Sequence, residues 1–104
     1  MIQEQDIEKA VHWLIANAEA AAKARAEREY MSEFRKSLKA QIMSEHAGDP
    51  LGVQEREAYS DPRYQQHLEA MREAVRADEL MRWRRTAAET KISVWQSQQR
   101  ALRP

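Results

Sequence analysis

The sequence predicts an all-α protein: two long helices forming an antiparallel helical hairpin, assembled into a coiled-coil or helical-bundle oligomer. Three observations predict it. Alanine, glutamate, arginine and glutamine are abundant, and all of them lose little side-chain entropy in a helix. The chain has only two glycines and three prolines, and all of them except Pro104 fall between Gly48 and Pro62. Apolar residues recur at intervals of three and four, the helical period.

The first helix is expected from about Glu4 to His46. Asp6 and Glu8 lie near its positive end, and Lys36 and Lys39 lie toward its negative end, which suits the helix dipole. Ile7, Val11, Leu14 and Ala18 define one face, and Tyr30, Phe34, Leu38 and Ile42 define another. At about 100° per residue the two faces lie on roughly opposite sides. Between them runs the alanine-rich stretch Ala16 to Ala26, good helix but a thin core. Glu27, Glu29 and Glu33 beside Arg25, Arg28 and Lys36 read as helix-surface ion pairs, worth a few tenths of a kcal/mol each.

Gly48-Asp49-Pro50 ends this helix: glycine supplies a C-cap and proline blocks continuation. Residues 47–60 are expected as a loop, extended by Leu51-Gly52, with at most a short helical turn over 53–59. Leu51 and Val53 are expected to cap the end of the bundle. The second helix starts where Ser60 or Asp61 can cap it and Pro62 fits the first helical position. It should run from about 61 to 102. Tyr64, Leu68, Met71 and Val75 form one face. A heptad-like stripe runs through Ala70, Ala74, Ala77, Met81, Ala88, Ile92, Trp95 and Leu102, interrupted by Arg84 or Arg85.

Helices of about 40 residues would be about 60 Å long. A single hairpin of that length has one seam and cannot cover every apolar face. Leaving Trp13, Trp83 and Trp95 in water would forfeit a few kcal/mol each, on the order of ~2. A homo-oligomer is therefore expected, with a two-fold dimer as the first choice. Its candidate interface is Trp13, Phe34, Leu38, Met81, Ile92, Trp95 and Leu102.

Composition narrows the function. There is no cysteine, so no disulfide, iron–sulfur cluster or thiol nucleophile is available. No apolar run approaches the roughly 18 residues of a membrane span. The acidic N-terminus Met1-Ile2-Gln3-Glu4-Gln5-Asp6 lacks a secretory pattern, so a cytoplasmic protein without membrane contact is the expectation. His12, His46 and His67 are not spaced as metal ligands, and His46–Asp49 is at best a weak pair, so no metal is expected. Gly48 and Gly52 lack the lysine and neighbouring glycines of a phosphate-binding loop. Carboxylates are common, but a thin helical pair offers little concavity in which to shift a pKa. No enzyme activity, catalytic residue or cofactor is expected.

Net charge is zero but unevenly spread: from 82 to 103 there are six basic residues and one acidic, Glu89. Arg82, Arg84, Arg85, Lys91 and Arg100 are candidate phosphate contacts, and Trp83 can stack on an unpaired base. Trp95 shares a stripe with Ile92 and Leu102, which makes it a core residue on spacing alone.

Residues 48–100 resemble small helical proteins of tailed bacteriophages and prophages. The resemblance rests on Asp61-Pro62-Arg63-Tyr64-Gln65-Gln66-His67-Leu68-Glu69, then Arg85, Ala88, Lys91-Ile92 and Val94-Trp95-Gln96-Ser97-Gln98. The genes of such proteins often lie near phage recombination and single-strand DNA genes. The resemblance implies an accessory role in phage DNA metabolism, in the host cytoplasm, and assigns no catalytic residue. The expected function is thus non-enzymatic binding of single-stranded DNA or a recombination partner through a basic helical face. The alternatives are a phage-encoded module or inhibitor that occupies a host protein, and a purely structural coiled-coil adaptor.

Overall fold

A computed structural model describes all 104 residues, Met1–Pro104. It contains four helices and no strands: α1 (Glu4–Ala16), α2 (Ala18–Ser44), α3 (Leu51–Ser60) and α4 (Pro62–Ala101). The molecule measures 79 × 22 × 15 Å, with a radius of gyration of 22.2 Å. A compact chain of this length would have a radius near 13 Å, so the shape is a rod.

The helix expected over 4–46 is interrupted at Asn17, which separates α1 from α2. The Asn17 side-chain amide donates to the Trp13 carbonyl at 2.9 Å, and the Asn17 backbone N–H reaches the same oxygen at 3.0 Å. A short polar side chain that bonds its own preceding turn competes with the helical ladder. Only Asn17 leaves the helix, but the N–H groups of Ala18, Glu19 and Ala20 make no backbone hydrogen bond, and the ladder resumes with Ala21 N–H to the Asn17 carbonyl at 2.9 Å.

Three expectations about the connection are corrected. Gly48 does not act as a left-handed cap, since no residue has positive φ; α2 instead unwinds through tight turns, His46 N–H to Met43 O and Asp49 N–H to His46 O. The expected loop 47–60 is mostly helix, because Pro50, with ψ of 150°, starts α3 directly at Leu51. Glycine costs about 1 kcal/mol in a helix, and Gly52 is tolerated because α3 packs against α2. Ala58 is fully buried there. Leu51 does not cap the bundle: it is exposed, whereas Val53 is half-buried.

α4 starts as its sequence requires. Asp61 Oδ1 accepts from Arg63 N–H at 2.8 Å, with Pro62 in the first turn. The helix then runs back beside α2 and α1. Arg63 meets Glu45, His67 meets Met31, Asp78 meets Arg28, and Trp95 lies beside Ile7 and Val11. The expected Glu27–Glu33 ion-pair ladder is partly redirected. Arg25–Glu29 and Lys36–Glu33 form within α2, but Arg28 reaches across to Asp78 and Glu79.

Packing is uneven along the rod. The core is Leu38, Ile42, Ala58 and Tyr64, with Phe34, Met43 and Leu68 against it, and lies where α2, α3 and α4 meet. Toward the free ends the buried residues are Ala10, Ala74, Asp78 and Ala88, while the larger Ile7, Trp13, Leu14 and Trp95 between α1 and α4 stay half-buried.

Candidate nucleic-acid interface and exposed faces

The basic residues of α4 are all at the surface, but they do not share one face. Arg84 and Lys91, seven residues apart, line one groove with Lys9, Asp6 and Trp13. Arg82 and Arg85 line the groove on the other side, with Arg25, Asp78 and the alanine floor Ala18, Ala21 and Ala22. Arg100 lies beyond both, near Trp95 and Arg103. A helix turns 100° per residue, so a basic run in sequence becomes two flanks in space.

Trp83 is 69% exposed, on the outer surface of α4. Arg82 is bonded to Glu79 at 3.1 Å, whereas Arg84, Arg85 and Lys91 form no ion pair. Arg100 donates to the Ser97 hydroxyl at 3.3 Å. Lys9 and Arg25 join these flanks from α1 and α2, and sequence reasoning missed both. Only the register between helices brings them there, and no local pattern encodes that register.

The residues of the expected oligomer interface fall in three different environments. Leu38 is buried in the chain's own core at the α2–α3–α4 junction, and the half-buried Phe34 packs against it. Trp13, Met81 and Trp95 are half-buried along the seam between α1–α2 and α4, and Ile92 of α4 is half-buried as well. Leu102 is 66% exposed at the free end. Residues that do stay in water include Val11, Ile15, Tyr30, Leu80, Trp83 and Val94.

The Asp61-Pro62-Arg63-Tyr64 segment has a local structural role. Asp61 caps α4 and Tyr64 enters the core. Arg63 bonds Glu45 Oε1 at 3.0 Å and Asp61 Oδ2 at 3.0 Å, tying the start of α4 to the end of α2. The guanidinium holds both carboxyl groups below their usual range; for Asp61 the Arg63 backbone N–H adds to the effect. His67 is not a free surface histidine. Its Nε2 lies 2.7 Å from the Met31 carbonyl, which can only accept, so this nitrogen carries the proton. Phe34 packs 5.4 Å from the imidazole, centroid to centroid. His46 Nδ1 and Asp49 Oδ2 are 3.5 Å apart, and no group of three or more His, Asp or Glu side chains converges as a metal site. No helix is long and apolar enough to cross a membrane.

Comparison with protein-family models, curated proteins and solved structures gives no match.

Proposed function

We propose that this chain is a non-enzymatic accessory protein that works as an antiparallel helical hairpin and contacts single-stranded nucleic acid along the C-terminal half of α4. In this reading it belongs to the DNA metabolism of a tailed phage and acts in the host cytoplasm as a homo-oligomer. The observation that carries the reading is Trp83. It is 69% exposed and stands next to Arg84, with Lys91 two turns further along the same flank. An exposed indole offers a base a stacking surface worth about 1–3 kcal/mol, and unpaired cations beside it can take the flanking phosphates. Arg82 and Arg85 would hold phosphates on the opposite side and Arg100 beyond both grooves, so a bound strand would wrap the rod rather than follow one straight track.

The test is fluorescence anisotropy with labelled single-stranded DNA at low and moderate salt. Binding should weaken as salt rises. Trp83→Ala should cost about tenfold, and Arg84→Ala with Lys91→Ala should reduce the salt slope by about 2. Absence of binding, or binding indifferent to salt, would sink this reading.

A second reading, a module that occupies a host or phage protein, is favoured by the uncovered surface. The chain exposes 7802 Å², against about 6,000 Å² for a compact folded chain of its mass. A stable interface takes about 800 Å² per partner. This reading predicts no DNA binding and a stoichiometric complex with one partner.

A further inference from the structure

The helices are fastened to α4 by different means. α2, its C-cap and α3 reach α4 through polar bonds: Arg28 to Asp78 and Glu79, the Met31 carbonyl to His67, Glu45 to Arg63, and the Tyr59 carbonyl to Gln65. No hydrogen bond or ion pair joins α1 to α4. Ala10 is the one buried residue of α1, and Ile7, Trp13 and Leu14 are half-buried. Asn17 cuts α1 off from α2, and the next three N–H groups make no backbone hydrogen bond. α1 is therefore the least fastened helix of the rod.

The charges along this seam work against its closure. Lys9 of α1 lines one groove with Arg84 and Lys91 of α4, over a floor that includes the buried Ala10 and Ala88. None of the three cations has an ion-pair partner. The one acid in the groove is Asp6, and its carboxylate accepts from the Gln3 N–H at 3.0 Å in the capping box of α1. The groove on the other flank differs. There Arg25 pairs with Glu29, Arg82 with Glu79 and Asp78 with Arg28, so only Arg85 is unanswered. Like charges facing across a seam repel, weakly where water and salt screen them. An anion placed between them turns that repulsion into a bridge.

We infer that the groove between α1 and α4 is a phosphate site held by Lys9, Arg84 and Lys91, and that a bound phosphate fastens α1 to α4. Phosphate suits these ligands because its oxygens accept several charge-assisted hydrogen bonds at once, from an arginine fork and from lysine point charges. Arg84 and Lys91 are rooted about 10 Å apart along α4, so their long side chains converge on the groove from either end, with Lys9 reaching in from α1. The groove encloses about 250 Å³, several times the ~30 Å³ share of a water molecule, and so has room for a phosphate group. Where the phosphate comes from a single strand, the site rests on the proposed function above and adds Lys9 and the hold on α1 to it. Free pyrophosphate presents the same chemistry. Trp83 does not line this groove, so base stacking and phosphate capture are separable.

Amide hydrogen exchange read by mass spectrometry on the full chain tests this, with pyrophosphate or a single-stranded oligonucleotide added at matched ionic strength. Either ligand should slow exchange over residues 4–16 by at least about threefold and leave Leu38–Met43 unchanged. Lys9→Gln should abolish that slowing and lower the salt slope of DNA binding by about 1. Arg85→Gln, in the other groove, should keep the slowing. Lys9→Glu sets an acid opposite Arg84 and Lys91, so α1 should exchange more slowly without ligand and ignore pyrophosphate. Lys9 is exposed, so both Lys9 variants should keep their helicity by circular dichroism; if they lose it, Lys91→Gln decides from the α4 side. DNA that binds without slowing α1 overturns the groove site and leaves the nucleic-acid reading standing. Slowing by pyrophosphate that Lys9→Gln removes, with no DNA binding, supports the site and overturns the nucleic-acid reading. Failure of both ligands to bind or to slow α1 overturns both.

Discussion

Arg63 shows how a single residue can join elements. Its guanidinium bridges Glu45 at the end of α2 and Asp61 at the start of α4. The same Asp61 caps α4 by accepting from the Arg63 N–H, which satisfies one of the unpaired donors at the helix start. Both carboxyl groups have folded pKa values depressed by Arg63. A depressed carboxyl contributes stability above its unfolded pKa, near 4, and loses it as pH falls through the folded value. Thermal melts should therefore separate the unmodified protein from Arg63→Ala more at pH 7 than at pH 3. An equal gap at both pH values would show that Arg63 acts by packing instead. Asp61 and Pro62 were legible in the sequence as a helix start, because capping is local. The Arg63–Glu45 bond was not, because it links residues 18 apart in sequence.

At the scale of elements, the rod has a firm end and a thin end. α2, α3 and α4 bury Ile42 completely, and Tyr64 closes over it. Ile42→Ala should cost about 2–5 kcal/mol, measured by chemical denaturation. The same truncation at Ile15 should cost the single chain less than about 1 kcal/mol, since little of that side chain is buried. α3 itself was missed by the sequence reading, which placed a loop at 47–60. Gly52 and the neighbouring Pro50 are breakers by propensity, yet the burial of Ala58 and the half-burial of Val53 against neighbouring helices outweigh about 1 kcal/mol of glycine cost. Asn17 was missed for the opposite reason. One polar residue inside a long helical pattern carries no periodic signal, and the break depends on where its side chain finds an acceptor.

For the whole molecule, the uneven packing predicts uneven protection. Amide hydrogen exchange should be slowest around Leu38–Met43 and Tyr64–Leu68, where the core lies, and faster in α1, where Ala10 alone is buried. Protection that is uniform along the rod would contradict both the thin seam and the local core.

The sequence by itself determined that the chain is helical, that it breaks between about 46 and 61, that Asp61-Pro62 begins the last helix, and that alanine leaves a thin core beside α1. These are properties of propensity, capping and side-chain volume, which act within a few residues. Only the tertiary structure decided which apolar residues were spoken for. It took Phe34 and Leu38 into the chain's own core and left Val11 and Ile15 in water. It also divided the α4 cations between two grooves. The reason is geometric: a face is used or free only relative to the helix packed against it, and the rotation of that helix is set by contacts tens of residues away.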